Sequence, residues 1–198
     1  MTQEKSLFID RISAVFPMTT EEIEVFSDRF EIEHYKKGDI LLKEGDQIDR
    51  VFFNLKGIIR QYKLIDGVDK SMFFFIEDQI IRLMGNTPED PTSPYHLECL
   101  EDSTLCVAYS REDDMEFVQK YPRFEALCMT LMDDIFKTAQ DNQEYYINCN
   151  PEQRYQKLLD ERPELVQRVA QQHLASFLGF TPESMSRIKK RIHEKIMS

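Results

Sequence analysis

Long apolar runs are absent from the sequence. No stretch of its 198 residues supplies the roughly 20 successive apolar residues that a membrane-spanning helix needs. The N-terminal segment 1–16 carries both charge signs, unlike the basic start and apolar block of a secretory signal. Hydrophobic residues still make up 41% of the chain, enough to bury a core. We therefore predict a globular, cytoplasmic protein.

Cysteine and histidine are scarce and scattered. The four cysteines, at 99, 106, 128 and 149, form no CxxC pair, which favours reduced thiols over disulfides or a zinc knuckle. The four histidines, at 34, 96, 173 and 193, are isolated, whereas a cupin-like enzyme holds its metal with clustered His and Glu. No nucleophile elbow, P-loop or HExxH motif is present. We predict neither a catalytic site nor a metal site.

Glycine is rare too, and four of the six glycines lie between residues 38 and 67. They interrupt a region, 30–76, made of short β-prone runs. Asp66-Gly67 separates two of these runs and is typical of a two-residue hairpin turn. Short strands with regular turns predict an antiparallel sandwich or barrel. Strands are expected to resume after the proline-rich loop 85–94.

Helix start signals flank this β-region. Residues 6–28 predict one or two short helices, with Thr19 and Glu22 placed as a capping box. After the strands, Ser110 with Asp113 predicts a capped helix that begins near Arg111.

Residues 121–148 contain no glycine and, after Pro122, no proline, which predicts a long helix. Its apolar and small side chains recur at a spacing of three and four residues, typical of a coiled-coil seam. We predict that this seam forms a dimer, in which Asn142 fixes the register. The alternative is a single amphipathic helix that lies on its own barrel. The seam residues are Cys128, Leu131, Ile135, Thr138, Asn142 and Tyr145.

Charge is unevenly distributed along the chain. Residues 151–198 hold nine basic and six acidic residues, a net charge of +3, whereas the remaining 16 basic and 30 acidic residues give 1–150 a net charge of −14. An acidic body with a basic end indicates a polyanionic partner for the end alone. The alternative is a solvated surface with chance variation.

The segment AQQHLASFLGFTPESMSRIKKRI, 170–192, predicts a helix at about 171–177, a turn at Gly179 and a second helix at 181–195. Thr181 is a suitable N-cap and Pro182 a suitable first residue for the second helix. This is the pattern of a DNA-binding helix-turn-helix. The side chains expected to face inward are Leu174, Ala175, Leu178, Met185, Ile188 and Ile192.

Outward-facing residues near the start of the second helix predict contacts with base edges. Arg187 can bind guanine O6 and N7 together, and Glu183 can accept from cytosine N4. Alternatively, these two residues form a surface ion pair on an ordinary helix. The predicted phosphate-contacting and supporting residues are Thr181, Ser184, Lys189, Lys190, Arg191 and Lys195.

Taken together, these segments resemble the CRP/FNR family of bacterial transcription regulators, from about residue 30 to residue 191. KKGDILLKEGDQIDRVFFNLKGIIRQYKLIDGVDKSMFFF is similar to the family's cyclic-nucleotide-binding-like β-roll, and 121–148 stands where the family has its dimerisation helix. Glu183-x-x-Ser186-Arg187 matches the E-x-x-S-R motif of the FNR-like branch. The resemblance implies that these three residues contact bases, that half-sites are related to TGA, and that RNA polymerase is a further partner.

The resemblance implies an α+β fold with an antiparallel, jelly-roll-like β-roll at 1–120, a dimerisation helix at 121–149 and a winged-helix-like helix-turn-helix at 150–198. The sequence ends seven residues after Arg191, so the final wing is expected to be reduced or absent. The predicted function is a homodimeric, sequence-specific DNA-binding regulator. The alternative is a ligand-binding or cupin-like β-roll protein without DNA binding.

The effector motif departs from that of family members that bind cyclic nucleotides. Those carry Gly-Glu, then Arg followed by Ser or Thr, where this chain has Ile81-Arg82 and Ser93-Pro94. Ser93 supplies no charge and Pro94 no backbone donor for a phosphate. We therefore do not predict cAMP binding. The clustered N-terminal cysteines of iron–sulfur sensors are missing, and no residue is marked as a haem ligand.

A pocket for an unknown small-molecule effector is nevertheless expected in the β-roll. The alternative is that Phe73, Phe74 and Phe75 fill the roll and that no effector exists. The residues predicted to line or cover the pocket are Phe73, Phe75, Arg82, Ser93 and Tyr95.

Overall fold

The structure is a computed structural model and describes residues 2–85, 87, 90–127, 129–130, 133 and 149–197. Within them, the chain forms eight strands and seven helices with defined bounds, and residues 123–127, 129–130 and 133 are also helical. The strands are β1 (Glu31–Tyr35), β2 (Ile40–Leu42), β3 (Arg50–Lys56), β4 (Ile59–Ile65), β5 (Val68–Phe75), β6 (Ile80–Ile81), β7 (His96–Cys99) and β8 (Ser103–Tyr109). The helices are α1 (Gln3–Val15), α2 (Thr20–Ser27), α3 (Asp114–Lys120), α4 (Pro151–Glu161), α5 (Pro163–Arg168), α6 (Gln171–Leu178) and α7 (Pro182–Met197).

The strands form two four-stranded sheets, in the orders β1-β8-β3-β6 and β2-β7-β4-β5. Strand β8 pairs antiparallel with both β1 and β3, and Glu31 opposite Val107 fixes the register of the first pair. The predicted α+β class with an antiparallel β-roll is therefore confirmed. No helix in the described ranges is long and apolar enough to cross a membrane.

The chain divides into two compact units, one of residues 1–61 with 75–134 and the other of residues 62–74 with 135–198. The domain boundaries predicted at 120 and 149 stay a prediction. The residues predicted for the dimer seam, Cys128, Leu131, Ile135, Thr138, Asn142 and Tyr145, lie outside the described residues.

Alternation along the strands divides the N-terminal unit into two apolar clusters. Side chains of successive strand residues point to opposite faces of a sheet. Phe52 on β3 therefore joins the cluster with Leu97 and Leu105, whereas its neighbour Phe53 joins the cluster with Phe8 of α1. Helices α1 and α2 contribute to the second cluster, so one face of the β1-β8-β3-β6 sheet is covered by helices and shielded from water.

The predicted capping box at the start of α2 is confirmed. Thr19 Oγ1 accepts a hydrogen bond from the backbone N–H of Glu22 at 3.2 Å, and the Glu22 carboxylate accepts from the Thr19 N–H at 2.8 Å. The Thr19 N–H, with smaller contributions from the Thr19 hydroxyl and Arg123, lowers the pKa of Glu22 below its usual value. Two backbone N–H groups at the helix start are thereby satisfied.

The helix predicted near Arg111 begins later than expected. Helix α3 starts at Asp114, and neither Ser110 nor Asp113 caps it with a side chain. The Asp113 carboxylate instead accepts a hydrogen bond from Arg29 at 2.8 Å, and Asp114 accepts from the backbone N–H of Arg111 at 2.9 Å. The capping prediction was wrong because Arg29, distant in sequence, binds the carboxylate that local spacing had assigned to the cap.

The hairpin predicted at Asp66-Gly67 is confirmed, since β4 ends at Ile65 and β5 begins at Val68. Both turn residues have positive φ, 52° and 76°, as a type I′ turn requires. Glycine adopts this backbone region without steric cost, and aspartate tolerates it better than most residues.

Hairpin residues 62–74 belong to the C-terminal unit and contact its helix α6. The Ser176 hydroxyl accepts from the backbone N–H of Ser71 at 3.0 Å and donates to the carbonyl of Asp69 at 3.1 Å. The rings of Phe74 and Phe177 meet edge to face, with centroids 5.3 Å apart. Phe74 thus packs on α6, which corrects the alternative that all three phenylalanines of 73–75 fill the roll.

Candidate nucleic-acid interface

Helices α6 and α7 and the turn between them form a helix-turn-helix. Helix α6 ends at Gly179, whose φ of 76° is left-handed, a conformation that disfavours residues with a Cβ. The N–H of Phe180 returns to the carbonyl of Ala175 at 2.8 Å. Thr181 Oγ1 then accepts from the N–H of Ser184 at 3.2 Å and caps α7, as predicted.

The inner face of the motif is apolar and continuous. Small Ala175 of α6 is 0% exposed, and a residue of this size allows close packing between helices. The inward orientation predicted from the sequence is confirmed at every position, since all six predicted residues are buried: Leu174, Ala175, Leu178, Met185, Ile188 and Ile192. Leu158 of α4 and Leu165 of α5 are also buried. The orientation of α7 is therefore fixed by a packed core.

The three residues predicted to contact bases share one exposed face of α7. Glu183, Ser186 and Arg187 are all exposed, and spacings of three and four residues place them on adjacent turns of the same face. Arg187 Nε donates to the backbone carbonyl of Glu183 at 3.4 Å. Within the described part of the chain, Arg187 therefore does not form the ion pair with the Glu183 side chain that was the predicted alternative.

Glu183 remains charged in this position. Its own backbone N–H and the Thr181 hydroxyl lower the pKa of its carboxyl below the usual value, with a smaller contribution from Arg187. A carboxylate at the N-terminal turn of a helix is also favoured by the helix dipole. Glu183 is thereby held as a hydrogen-bond acceptor at neutral pH.

The basic residues predicted to contact phosphate lie further along α7 and are engaged to different degrees. Lys190 is 3.9 Å from Glu194, and Arg191 is 3.1 Å from Glu152 of α4. Both pairs are solvent-exposed, so each contributes at most about 1 kcal/mol and can be exchanged for a phosphate. Lys189 is half-buried, and the side chain of Lys195 lies outside the description.

Sequence reasoning missed Gln171, which is the first residue of α6. Its Nε2 donates a hydrogen bond to the Ser186 hydroxyl at 2.9 Å. The two residues are 15 positions apart, and no periodicity or spacing in the sequence links them. Only the crossing of α6 over α7 places a side-chain amide beside a predicted base-contacting residue.

The residues predicted for an effector pocket differ in their surroundings, and the pocket stays a prediction. Ser93 is 0% exposed, and its hydroxyl donates to the carbonyl of Tyr95 at 2.7 Å and accepts from the Tyr95 N–H at 3.1 Å. Phe75 and Tyr95 pack against the apolar core between the sheets, whereas Arg82 is exposed. Phe73 lies in the C-terminal unit, with its ring centroid 5.6 Å from the guanidinium of Arg162.

A buried cation that the sequence did not indicate lies on β4. The side chain of Arg60 is 3% exposed, and its Nη2 donates to the Glu98 carboxylate on β7 at 2.7 Å. This ion pair neutralises the cation within the roll. Among the described residues, no group of three or more His, Cys, Asp or Glu side chains is arranged to hold a metal ion.

Comparison with known proteins shows what this architecture is similar to. A family model described as a cyclic nucleotide-binding domain matches residues 32–121, which cover β1 to β8. A solved structure described as a regulator of the CRP/FNR family, from Eubacterium rectale, superimposes with a TM-score of 0.67 at 17% identity over 92% of this chain and 88% of that one. The chain therefore matches a cyclic nucleotide-binding domain over β1 to β8 and shares its fold with a CRP/FNR regulator.

Two further proteins are similar to this chain. The transcriptional activator protein Anr of Pseudomonas aeruginosa is 22% identical over 172 residues, which cover 80% of this chain and 69% of Anr. FixK2 of Bradyrhizobium japonicum superimposes with a TM-score of 0.66 at 16% identity over 84% of this chain and 85% of its own. FixK2 thus shares the fold of this chain along most of its length.

Proposed function

We propose that the chain is a homodimeric regulator that binds specific sequences of double-stranded DNA through α7. The observation that carries this proposal is the exposed row of Glu183, Ser186 and Arg187, backed by the buried Met185 and Ile188. A helix fixed from behind by a packed core presents these side chains in one orientation. Such an element fits the major groove of B-DNA, which admits an α-helix and exposes a distinct pattern of donors and acceptors for each base pair.

The chemistry of each side chain indicates its role. Arg187 can donate two parallel hydrogen bonds to guanine, and the ionised Glu183 can accept from the amino group of cytosine. We expect Lys189, Lys190, Arg191 and Lys195 to neutralise phosphates and contribute affinity without sequence preference. Exchange of the Glu152 partner of Arg191 for a phosphate would accompany binding.

Two copies of α7 are needed to read an inverted repeat. In a dimer, the two recognition helices enter successive major grooves when they are about 34 Å apart. The seam predicted along 121–148 would set this separation. From the resemblance to the FNR-like branch, we expect half-sites related to TGA, with RNA polymerase as a partner at the promoter.

The β-roll is proposed to hold a signal other than cAMP. Its Ser93 hydroxyl and backbone N–H are both occupied within the chain, the latter by the carbonyl of Asp46 at 2.8 Å. Pro94 offers no donor, and the buried cation Arg60 is paired with Glu98. A cyclic phosphate would therefore meet neither exposed backbone donors nor an uncompensated cation at these positions.

Replacement of Arg187 tests the proposal. Arg187→Ala should lower the affinity for the preferred site by about 1–3 kcal/mol and relax the preference at one base pair of each half-site. Arg191→Ala is the matched control, because the loss of a phosphate contact weakens all sequences alike and reduces the salt dependence. Affinities are measured by fluorescence anisotropy at fixed salt. If Arg187→Ala retains both affinity and preference, α7 does not read the DNA as proposed.

A further inference from the structure

The hydroxyl of Ser186 has a protein partner at the surface proposed to face DNA. Gln171 Nε2 donates to Ser186 Oγ at 2.9 Å, across the crossing of α6 and α7. Gln171 is half-buried at the first position of α6, whereas Ser186 is exposed. We infer that Gln171 sets the hydrogen-bonding polarity of Ser186, and thereby determines which base edge Ser186 recognises. This inference rests on the proposed function.

A serine hydroxyl alone carries little information. It has one donor hydrogen and two acceptor lone pairs, so it can bond to either kind of base edge. When the Gln171 amide donates to the oxygen, one lone pair is occupied and the hydroxyl hydrogen is directed away from the amide. Ser186 then keeps its hydrogen and only one lone pair for the groove, so donation to the base is favoured. The edges that match are acceptors: O6 and N7 of guanine, N7 of adenine and O4 of thymine.

The same contact strengthens when DNA is bound. In the unbound protein, this exposed hydrogen bond competes with water and contributes little to stability. In a complex, water is displaced from the groove, and a hydrogen bond in a medium of lower dielectric constant is electrostatically stronger. Gln171 is therefore a positioning residue, because it acts on the base through Ser186.

The orientation of Gln171 is compatible with this role. Its helix is held by the buried Leu174 and Ala175, one turn further along, and is followed by the left-handed Gly179. Neighbouring Gln172 is exposed and has no hydrogen bond to Ser186, although it has the same chemistry. Gln172 therefore serves as the matched control for Gln171.

The decisive variant is Gln171→Glu, which preserves shape and reverses polarity. A carboxylate only accepts, so the Ser186 hydroxyl would donate to it and leave oxygen lone pairs towards the groove. Preference at one base pair should then move from acceptor edges towards the donors N4 of cytosine and N6 of adenine, by on the order of tenfold. Gln172→Glu adds the same negative charge and should weaken all sequences alike.

The measurement is selection of sequences from random duplex DNA at fixed salt. Four proteins are compared: wild type, Gln171→Glu, Gln172→Glu, and the double variant Gln171→Glu with Ser186→Ala. The structure predicts a shifted preference in Gln171→Glu only, and no shift when Ser186 is absent. Thermal unfolding of each variant is recorded beside it, because a purely structural contact would change stability without changing preference.

The outcomes distinguish failure of the inference about Gln171 from failure of the proposed function. If wild type enriches a sequence and Gln171→Glu enriches the same sequence, the inference about Gln171 is wrong and the proposed function stands. If the preference shifts equally in the Ser186→Ala background, Gln171 contacts the base directly and the inference is also wrong. If wild type enriches no sequence either without added ligand or with cell extract, the proposed function fails and the inference fails with it.

Discussion

Removal of the Phe74 ring should destabilise the C-terminal unit strongly. The ring is 0% exposed and meets Phe177 of α6 edge to face at 5.3 Å. The transfer of a phenylalanine side chain from water is worth about 1.5–3 kcal/mol, and an edge-to-face pair adds about 0.5–1.5 kcal/mol. With the cavity that remains, we expect Phe74→Ala to lower the free energy of unfolding by about 3–5 kcal/mol.

Hydrogen exchange followed by mass spectrometry checks this loss element by element. If α6 depends on the hairpin, protection of peptides from 171–178 should fall by roughly a hundredfold or more, because about 1.4 kcal/mol corresponds to a factor of ten. Met72 lies on the same strand and is 42% exposed, so Met72→Ala should change stability by no more than about 0.5 kcal/mol. If exchange in α6 is no faster in Phe74→Ala than in Met72→Ala, the hairpin does not support the helix-turn-helix as described.

Two further predictions concern the N-terminal unit and the thiols. Thr19→Ala should lower the free energy of unfolding by about 1 kcal/mol in urea denaturation, whereas Thr20→Ala, outside the capping box, should have a smaller effect. Folding lowers the pKa of Glu22. The contribution of the Glu22 carboxylate to the free energy of unfolding is therefore present above the unfolded-state pKa of about 4.3 and is lost as the pH falls through the lower folded-state value. The cost of Thr19→Ala should shrink in acid for the same reason. Burial raises the pKa of Cys106 to about 12, so at pH 8 iodoacetamide should label the half-buried Cys149 well before Cys106. Peptide mass spectrometry checks the order, and equal labelling rates in the folded protein would contradict the burial of Cys106.

Local rules predicted the parts of the fold that short segments determine. The Asp66-Gly67 turn needed only two residues that tolerate positive φ. The helix-turn-helix needed an apolar pattern with period 3.6, a glycine with left-handed φ and a capping threonine, all within 23 residues. Each of these signals acts over a few residues, so the sequence carries it directly.

Such local rules could not predict contacts between residues that are distant in sequence. The expected helix near Arg111 forms as α3 but lacks the predicted side-chain cap, because Arg29 binds Asp113. Alternation on β5 separates Phe74 from its neighbours, but nothing in the run indicates Phe177 as its partner. The amide of Gln171 reaches Ser186 only after two helices cross. In each case the stabilising contact joins two residues that are distant in sequence, and only the folded chain brings them together.

The central claim is that α7 reads DNA sequence, and selection of random duplex DNA by the purified full-length chain at fixed salt tests it most directly. Selections are run without added ligand and with cell extract that supplies small molecules. We predict enrichment of an inverted repeat with TGA-like halves, spaced by about one helical turn. Enrichment without ligand would show that the unliganded form already binds. If neither condition enriches any sequence, the exposed row of Glu183, Ser186 and Arg187 is not a DNA-reading surface.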